Sequence, residues 1–233
     1  MKPGRIAALT VTLTAIDMVR KISLKETPSM SQLFFFALGY LFLSIYLAWI
    51  QGEMRLSFPG LASVLWLNLF MVGSFSNMVE GFFFTSVFES GSEFMMGALV
   101  MLFFSGVQAG LASIILEGGE KRLKECLREY FAETSAMSWL KRVAIGALSY
   151  FPIYFFFGML VSPFVMPYYS DPSLGLIVPP FTLIIPVEIL RGFLYVAALL
   201  PIAASLGADR KENAVTFAGM LFISGAFIPL LGD

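Results

Sequence analysis

Histidine is missing from all 233 residues of the chain, and cysteine occurs once, at Cys126. Without an imidazole there is no Ser–His or Cys–His hydrolysis, no HExxH zinc site and no histidine ligand for haem. A single cysteine also excludes a disulfide framework and a cysteine-rich metal site. The sequence therefore predicts no metal and no cofactor.

Charged residues are scarce as well, at 13% of the chain, and the net charge is −1. This balance supplies no basic field, so we expect no nucleic-acid partner. Of the four aspartates only Asp17 lies in an apolar stretch, which excludes a paired-aspartate intramembrane protease. The apolar stretches carry no lysine for a Ser–Lys dyad, and there is neither a P-loop nor a GxGxxG motif.

Apolar residues, in contrast, are abundant. They make up 58% of the chain, phenylalanine alone occurs 25 times, and the mean hydropathy is +0.83. Soluble domains are typically less than half apolar and about one quarter charged. The composition predicts an integral membrane protein.

Six apolar runs approach or exceed the roughly 20 residues that a helix needs to cross a hydrocarbon core. They lie at 33–50, 61–79, 94–116, 143–166, 176–206 and 214–231, and the second continues through Glu80 into the apolar stretch 81–88. None alternates in the manner of a membrane β-strand. The predicted fold is an all-α, polytopic transmembrane helix bundle with six spans.

The amino-terminal segment, 1–32, has two interpretations. Its apolar stretch 6–19 would form a helix of only about 21 Å, which is short for a crossing. Ile6, Leu9 and Leu13 share one helical face, as in an amphipathic helix that lies on the membrane surface. The other interpretation is a short seventh span.

Lysine and arginine cluster in two loops, and such loops tend to be cytoplasmic. Segment 117–142 holds six of the fifteen basic residues and 207–213 holds two, whereas 86–93 and 167–175 hold none. The prediction is a cell-membrane protein with 117–142 and 207–213 in the cytoplasm and its carboxyl terminus outside. Arg191, which lies within a span, is not counted. Of the other basic residues, eleven are inside and three outside if 6–19 spans, and nine are inside and five outside if it does not. Charge favours seven spans, and length favours six.

The chain accordingly divides into four parts: 1–32, spans one to three in 33–116, a cytoplasmic amphipathic loop in 117–142, and spans four to six in 143–233. The loop has helical spacing of apolar residues and a tryptophan followed by two cations, typical of a membrane-surface segment. It is either a solvated connector or a site for a partner or anionic lipid. Cys126 within it is either an inert buried thiol or an acylation site.

The third span contains a GxxxG motif formed by Gly106 and Gly110. Such small residues let two helices pack closely in lipid, within one chain or between two copies. Gln108 lies between them and needs a hydrogen-bond partner in hydrocarbon. Besides the lipid bilayer, the expected partner is a second copy or a membrane protein bound through this span and 117–142.

Three ionisable residues lie deep in the predicted spans: Glu80, Glu188 and Arg191. Each charge at the bilayer centre costs ~2.5–3.5 kcal/mol on insertion scales, so each needs a partner. We hypothesise that Glu80 from the second span and Glu188 from the fifth converge on Arg191, with Asn77, one turn before Glu80, in the same polar cluster. Two carboxylates on one guanidinium would leave a net charge of −1 or hold one proton. The cluster either fixes helix register or forms a proton or cation site.

The fifth run contains four prolines, and Pro186 is central to its shape. One interpretation is a long continuous helix kinked at Pro186. The other has Pro186 in the first helical turn, with 176–185 re-entering as irregular backbone and Glu188 near the helix amino terminus.

Three functions from different classes remain. The first is a small permease or channel-like protein whose pathway passes the Glu/Arg cluster. The second is a non-transporting membrane scaffold or assembly subunit. An intramembrane enzyme that uses Glu80 and Glu188 is the least favoured.

Overall fold

The computed structural model describes residues 3–24, 29–132, 134–206 and 210–232, and these residues are mostly helical. The α-helices in them are α1 (Pro3–Ser23), α2 (Met30–Met54), α3 (Phe58–Phe70), α4 (Ser76–Phe84), α5 (Gly91–Leu116), α6 (Leu123–Ala132), α7 (Ala136–Tyr169), α8 (Phe181–Ser205), α9 (Arg210–Phe222) and α10 (Ile228–Gly232). π-Helical turns at Met71–Phe75 and Ile223–Phe227 join α3 to α4 and α9 to α10.

Six helical stretches among the described residues are long and apolar enough to cross a membrane. They are Met30–Met54, Phe58–Phe84, Gly91–Leu116, Ala136–Tyr169, Phe181–Ser205 and Asn213–Leu231. The second and sixth run through the two π-helical turns without a break. The predicted all-α bundle with six spans is confirmed.

Backbone contacts tie the connecting loops together at both ends of the bundle. At one end Leu56 pairs with Lys121, and the Gly119 N–H donates to the Leu56 carbonyl. A Cβ at Gly119 would collide with the Arg55 carbonyl, so only glycine permits this approach. At the other end Thr85 pairs with Leu176. The connections after the first and third spans therefore share one end, and those after the second and fourth share the other.

Helix α1 packs lengthwise against the spans. Arg5 near its start forms an ion pair with Glu117 at the end of α5, and the Arg20 Nη1 lies 3.6 Å from the Met101 sulfur in the middle of α5. The two helices are thus antiparallel over about four turns. Leu9 is fully buried in the core that α2 and α5 share. A helix lying flat on the membrane surface does not describe this packing.

The length of α1 also differs from the expectation. It has 21 residues, equivalent to about 31 Å, because polar residues at both ends continue the helix beyond 6–19. Its buried face runs through Leu9 and Leu13 to Asp17, which is 5% exposed. The helix combines the length of a crossing with charges that an isolated span would not carry.

The fifth span is one continuous helix in which Pro186 is the sixth residue. The interpretation in which 176–185 is irregular is wrong, because the helix already begins at Phe181. Glu188 consequently lies beyond the first turn, and helix-terminal N–H groups do not explain its burial. The burial of Glu188 therefore requires a side-chain partner.

Helix α7 is the least buried of the six spans, and Ala147 is the one residue of it that is fully enclosed. At that point α7 meets α8 across Gly192. A Cβ on Gly192 would collide with the Ala147 carbonyl and the Tyr150 side chain. This close approach brings the α7 tyrosines beside the polar residues of α8.

We expect Gly192→Ala to lower the thermal unfolding midpoint of the purified protein in detergent, because overpacking typically costs about 1–3 kcal/mol. Gly158→Ala on α7 is the matched control, since a Cβ there meets nothing within 4 Å. Alanine's higher helix propensity should leave that variant unchanged or slightly more stable. Equal midpoints for the two variants would contradict the tight α7–α8 contact.

Candidate functional site

Arg191, in the middle of α8, is the centre of a buried polar cluster. Its side chain is 4% exposed, and its Nη2 lies 2.7 Å from the Glu80 Oε2 of α4. Its Nη1 donates to both carboxylate oxygens of Glu188, at 2.9 and 3.2 Å. The structure thus brings together the three ionisable residues of the second and fifth spans.

The remaining faces of the guanidinium are also occupied. Its Nε donates to the Ser76 hydroxyl at 3.1 Å, and its Nη2 to the Tyr195 hydroxyl at 3.3 Å. The rings of Tyr150 and Tyr154 on α7 each have their centroid 5.6 Å from the Arg191 Cζ, within cation–π range. Sequence reasoning missed these residues because tyrosine and serine carry no charge that demands a partner.

The two carboxylates differ in how far their side chains are exposed at the surface of the chain. The Glu188 side chain is 0% exposed, whereas that of Glu80 is 35% exposed. Glu80 also accepts a hydrogen bond from the Tyr154 hydroxyl at 3.2 Å. Glu80 therefore links the buried Glu188–Arg191 pair to the surface of the chain.

Asn77 does not join this cluster. Its side-chain amide donates to the Gly225 carbonyl of the sixth span at 3.2 Å. Asn77 directly follows Ser76, and consecutive residues of an α-helix point about 100° apart. With Ser76 directed at Arg191, Asn77 faces another side of α4, so its predicted place in the cluster is wrong.

The other side of α4 borders a second polar region, a cavity of about 340 Å³. Charged and hydrogen-bonding side chains from α1, α2, α4 and α5 line it, namely Asp17, Arg20, Lys21, Tyr40, Asn77 and Gln108. The Arg20 Nε lies 2.6 Å from Asp17, and Gln108 donates to the Tyr40 hydroxyl at 3.3 Å. Gln108 thus has the partner that its depth requires.

The two π-helical turns lie side by side next to this cavity. A Cβ at Gly225 would come within 3.2 Å of Val72, and Gly73 faces the Ser224 carbonyl. Single π turns inside α-helices occur frequently at functional sites. Sequence reasoning missed both, because nearly every position is apolar and no periodicity marks a change of helix type.

The GxxxG glycines have different surroundings. Gly106 packs against the indole of Trp66, whose N–H donates to the Leu102 carbonyl at 2.9 Å. A Cβ on Gly110 would meet nothing within 4 Å. The motif therefore contributes one intramolecular contact and leaves one open position on α5.

No group of three or more Cys, Asp or Glu side chains among the described residues is arranged to hold a metal ion. Comparisons with protein-family models, curated proteins and solved structures found no match. Function has to be inferred from the geometry of the chain itself.

We expect Arg191→Leu to reduce the yield of monodisperse protein sharply. The substitution leaves Glu188 wholly buried without its cation, a loss that typically costs 3–5 kcal/mol. Glu80→Gln should have a smaller effect, because that carboxylate is partly exposed at the surface of the chain. Size-exclusion chromatography of a fluorescent fusion measures both yields.

The control for Arg191→Leu is Arg128→Leu, which removes an exposed arginine of α6. An Arg191→Leu yield equal to that of Arg128→Leu would show that the ion cluster does not stabilise the bundle.

Proposed function

We propose that the chain is a small permease of the cell membrane, with a solute site in the polar cavity and a coupling site in the Glu80–Arg191–Glu188 cluster. The observation that carries the proposal is their arrangement on two sides of one short helix, α4. Ser76 and Glu80 contact Arg191, and Asn77 lines the cavity. A movement of α4 would therefore change the geometry of both sites.

The cavity has the size and lining of a solute site. Ligand pockets are commonly about 300–1,000 Å³ and combine apolar walls with a few oriented polar groups. This one has about 340 Å³, with Phe36 and Phe104 beside the amides of Asn77 and Gln108. Its charged end, formed by Asp17 and Arg20, suits a small solute that carries charge of its own.

The ion cluster has the features of a proton-coupling site. Two carboxylates face one guanidinium, and of the two only Glu80 is partly exposed at the surface of the chain. Neutralising the Glu80 carboxylate would weaken its ion pair with Arg191 and leave the Glu188–Arg191 pair intact. The bond between α4 and α8 would then loosen, and the π turn that precedes α4 gives the backbone a place to adjust.

We also propose that segments 117–142 and 207–213 face the cytoplasm and that the carboxyl terminus lies outside. The distribution of lysine and arginine supports this orientation. The position of α1 adds support, because the Arg5–Glu117 ion pair puts the start of α1 at the same end as segment 117–142. This contact therefore favours the arrangement in which 6–19 spans and eleven basic residues lie inside.

Proton movement in liposomes tests the proposal. Purified protein is reconstituted with a pH-sensitive dye inside, and pools of L-amino acids or short carboxylates are added outside under an inward proton gradient. At least one pool should accelerate internal acidification about fivefold over protein-free liposomes. Glu80→Gln should abolish the acceleration, because the exposed edge of the cluster then has no carboxylate for the coupled proton.

Glu89→Gln is the matched control, since Glu89 is an exposed glutamate in the loop after α4. It should retain full acidification. No response to any pool, or an undiminished response in Glu80→Gln, would contradict proton-coupled transport.

Assembly with a second copy or another membrane protein is the second candidate function. The open position at Gly110 favours it, because that side of α5 is not covered by the described part of the chain. Leu111 and Ile114 next to it are 38% and 59% exposed. Such a surface faces either lipid or a partner helix.

If α5 forms a homodimer, Gly110→Leu should shift the protein from dimer to monomer in light scattering coupled to chromatography. The larger side chain would keep the helices apart. Gly158→Leu is the control, since its Cβ position is equally open on α7. A wild-type protein that is already monomeric at all concentrations would exclude this dimer.

A further inference from the structure

A second cavity, of about 190 Å³, is an apolar groove on the side of the bundle where α6, α7, α8 and α9 meet. Apolar side chains form its walls: Val143, Val196, Leu199, Leu200, Ala203 and Phe217. Helix α7 begins here, so the groove lies near the end of the bundle that carries segment 117–142. An apolar groove of this kind does not hold ordered water.

The rim of the groove is polar and aromatic. The Trp139 ring lies 4.8 Å from that of Tyr130 and 5.0 Å from that of Phe131, between centroids. The Arg142 guanidinium carbon is 5.3 Å from the Trp139 ring, and Arg142 is exposed. A cation is thus held at the mouth of an otherwise apolar groove.

Trp139 also has an unused hydrogen-bond donor. Its indole Nε1 is buried and has no partner among the described residues. A buried N–H without an acceptor is costly, so the position of Trp139 is set by its ring contacts and not by a hydrogen bond. The ester or phosphate oxygens of a lipid lie at the depth where tryptophan usually sits in a membrane protein.

We infer that this groove binds one acyl chain of an anionic phospholipid, with the lipid phosphate at Arg142. The apolar walls match the acyl chain, and the rim matches the headgroup. The charge at the rim favours an anionic over a zwitterionic lipid, because the ammonium of a choline headgroup would be repelled by Arg142.

Native mass spectrometry of the full chain in a non-ionic detergent tests the inference. The protein is titrated with phosphatidylglycerol or phosphatidylcholine of identical acyl chains. The wild type should retain one phosphatidylglycerol at least fivefold more than phosphatidylcholine. Arg142→Gln should remove that preference, and Trp139→Phe, which weakens the cation–π contact with Arg142, should lower phosphatidylglycerol retention two- to threefold.

Two further variants separate a built site from general surface charge. Lys141→Gln makes a neighbouring charge change outside the groove lining, and it should alter retention less than twofold. Ala203→Trp fills the groove and should abolish retention of both lipids while leaving the protein monodisperse.

The inference is overturned if the two lipids are retained equally, if Lys141→Gln and Arg142→Gln lose equal amounts, or if Ala203→Trp still binds. A tenfold excess of inorganic phosphate should leave the bound lipid in place. Displacement by phosphate would mean that the rim is an anion site without the acyl chain.

Discussion

The low polarity of the bilayer interior is the constraint on which the polar architecture of this chain depends. A guanidinium at the depth of Arg191 is tolerable only when its donors and its charge are matched. The matching groups come from three spans. They are Ser76 and Glu80 of the second span, Tyr150 and Tyr154 of the fourth, and Glu188 and Tyr195 of its own helix. One side chain therefore fixes the positions of three spans, and the close α7–α8 contact at Gly192 follows from the same need.

This constraint explains what the sequence predicts well. Glu80, Glu188 and Arg191 are charged, their depth follows from the apolar runs, and a single deep cation leaves little choice of partner. Asn77 is misplaced because residues three apart on a helix still differ in direction by about 60°, and it is Ser76, four residues before Glu80, that faces Arg191. The tyrosines around Arg191 and the polar cavity were missed because they depend on which helices are neighbours in space, which an almost uniformly apolar sequence does not encode.

Helix α1 illustrates a conflict that only packing resolves. Its charges make it unlike a lipid-exposed span, and its apolar core is too short for one. In the bundle those charges need not face lipid, because Arg5 pairs with Glu117 and Arg20 pairs with Asp17. The Asp17–Arg20 pair also supplies the charged end of the cavity. The sequence rules for an isolated span do not describe α1, because some of its charged residues line a polar cavity.

The difference in exposure between Glu80 and Glu188 bears on whether the cluster is only a structural device. An ion pair that merely fixes helix register is served best by full burial, as in Glu188–Arg191, since water weakens the attraction between charges. Glu80 instead holds α4 to α8 through a carboxylate that is partly exposed at the surface of the chain. Because α4 also carries Asn77 into the cavity, a change at Glu80 has a direct mechanical route to the place where a solute would bind.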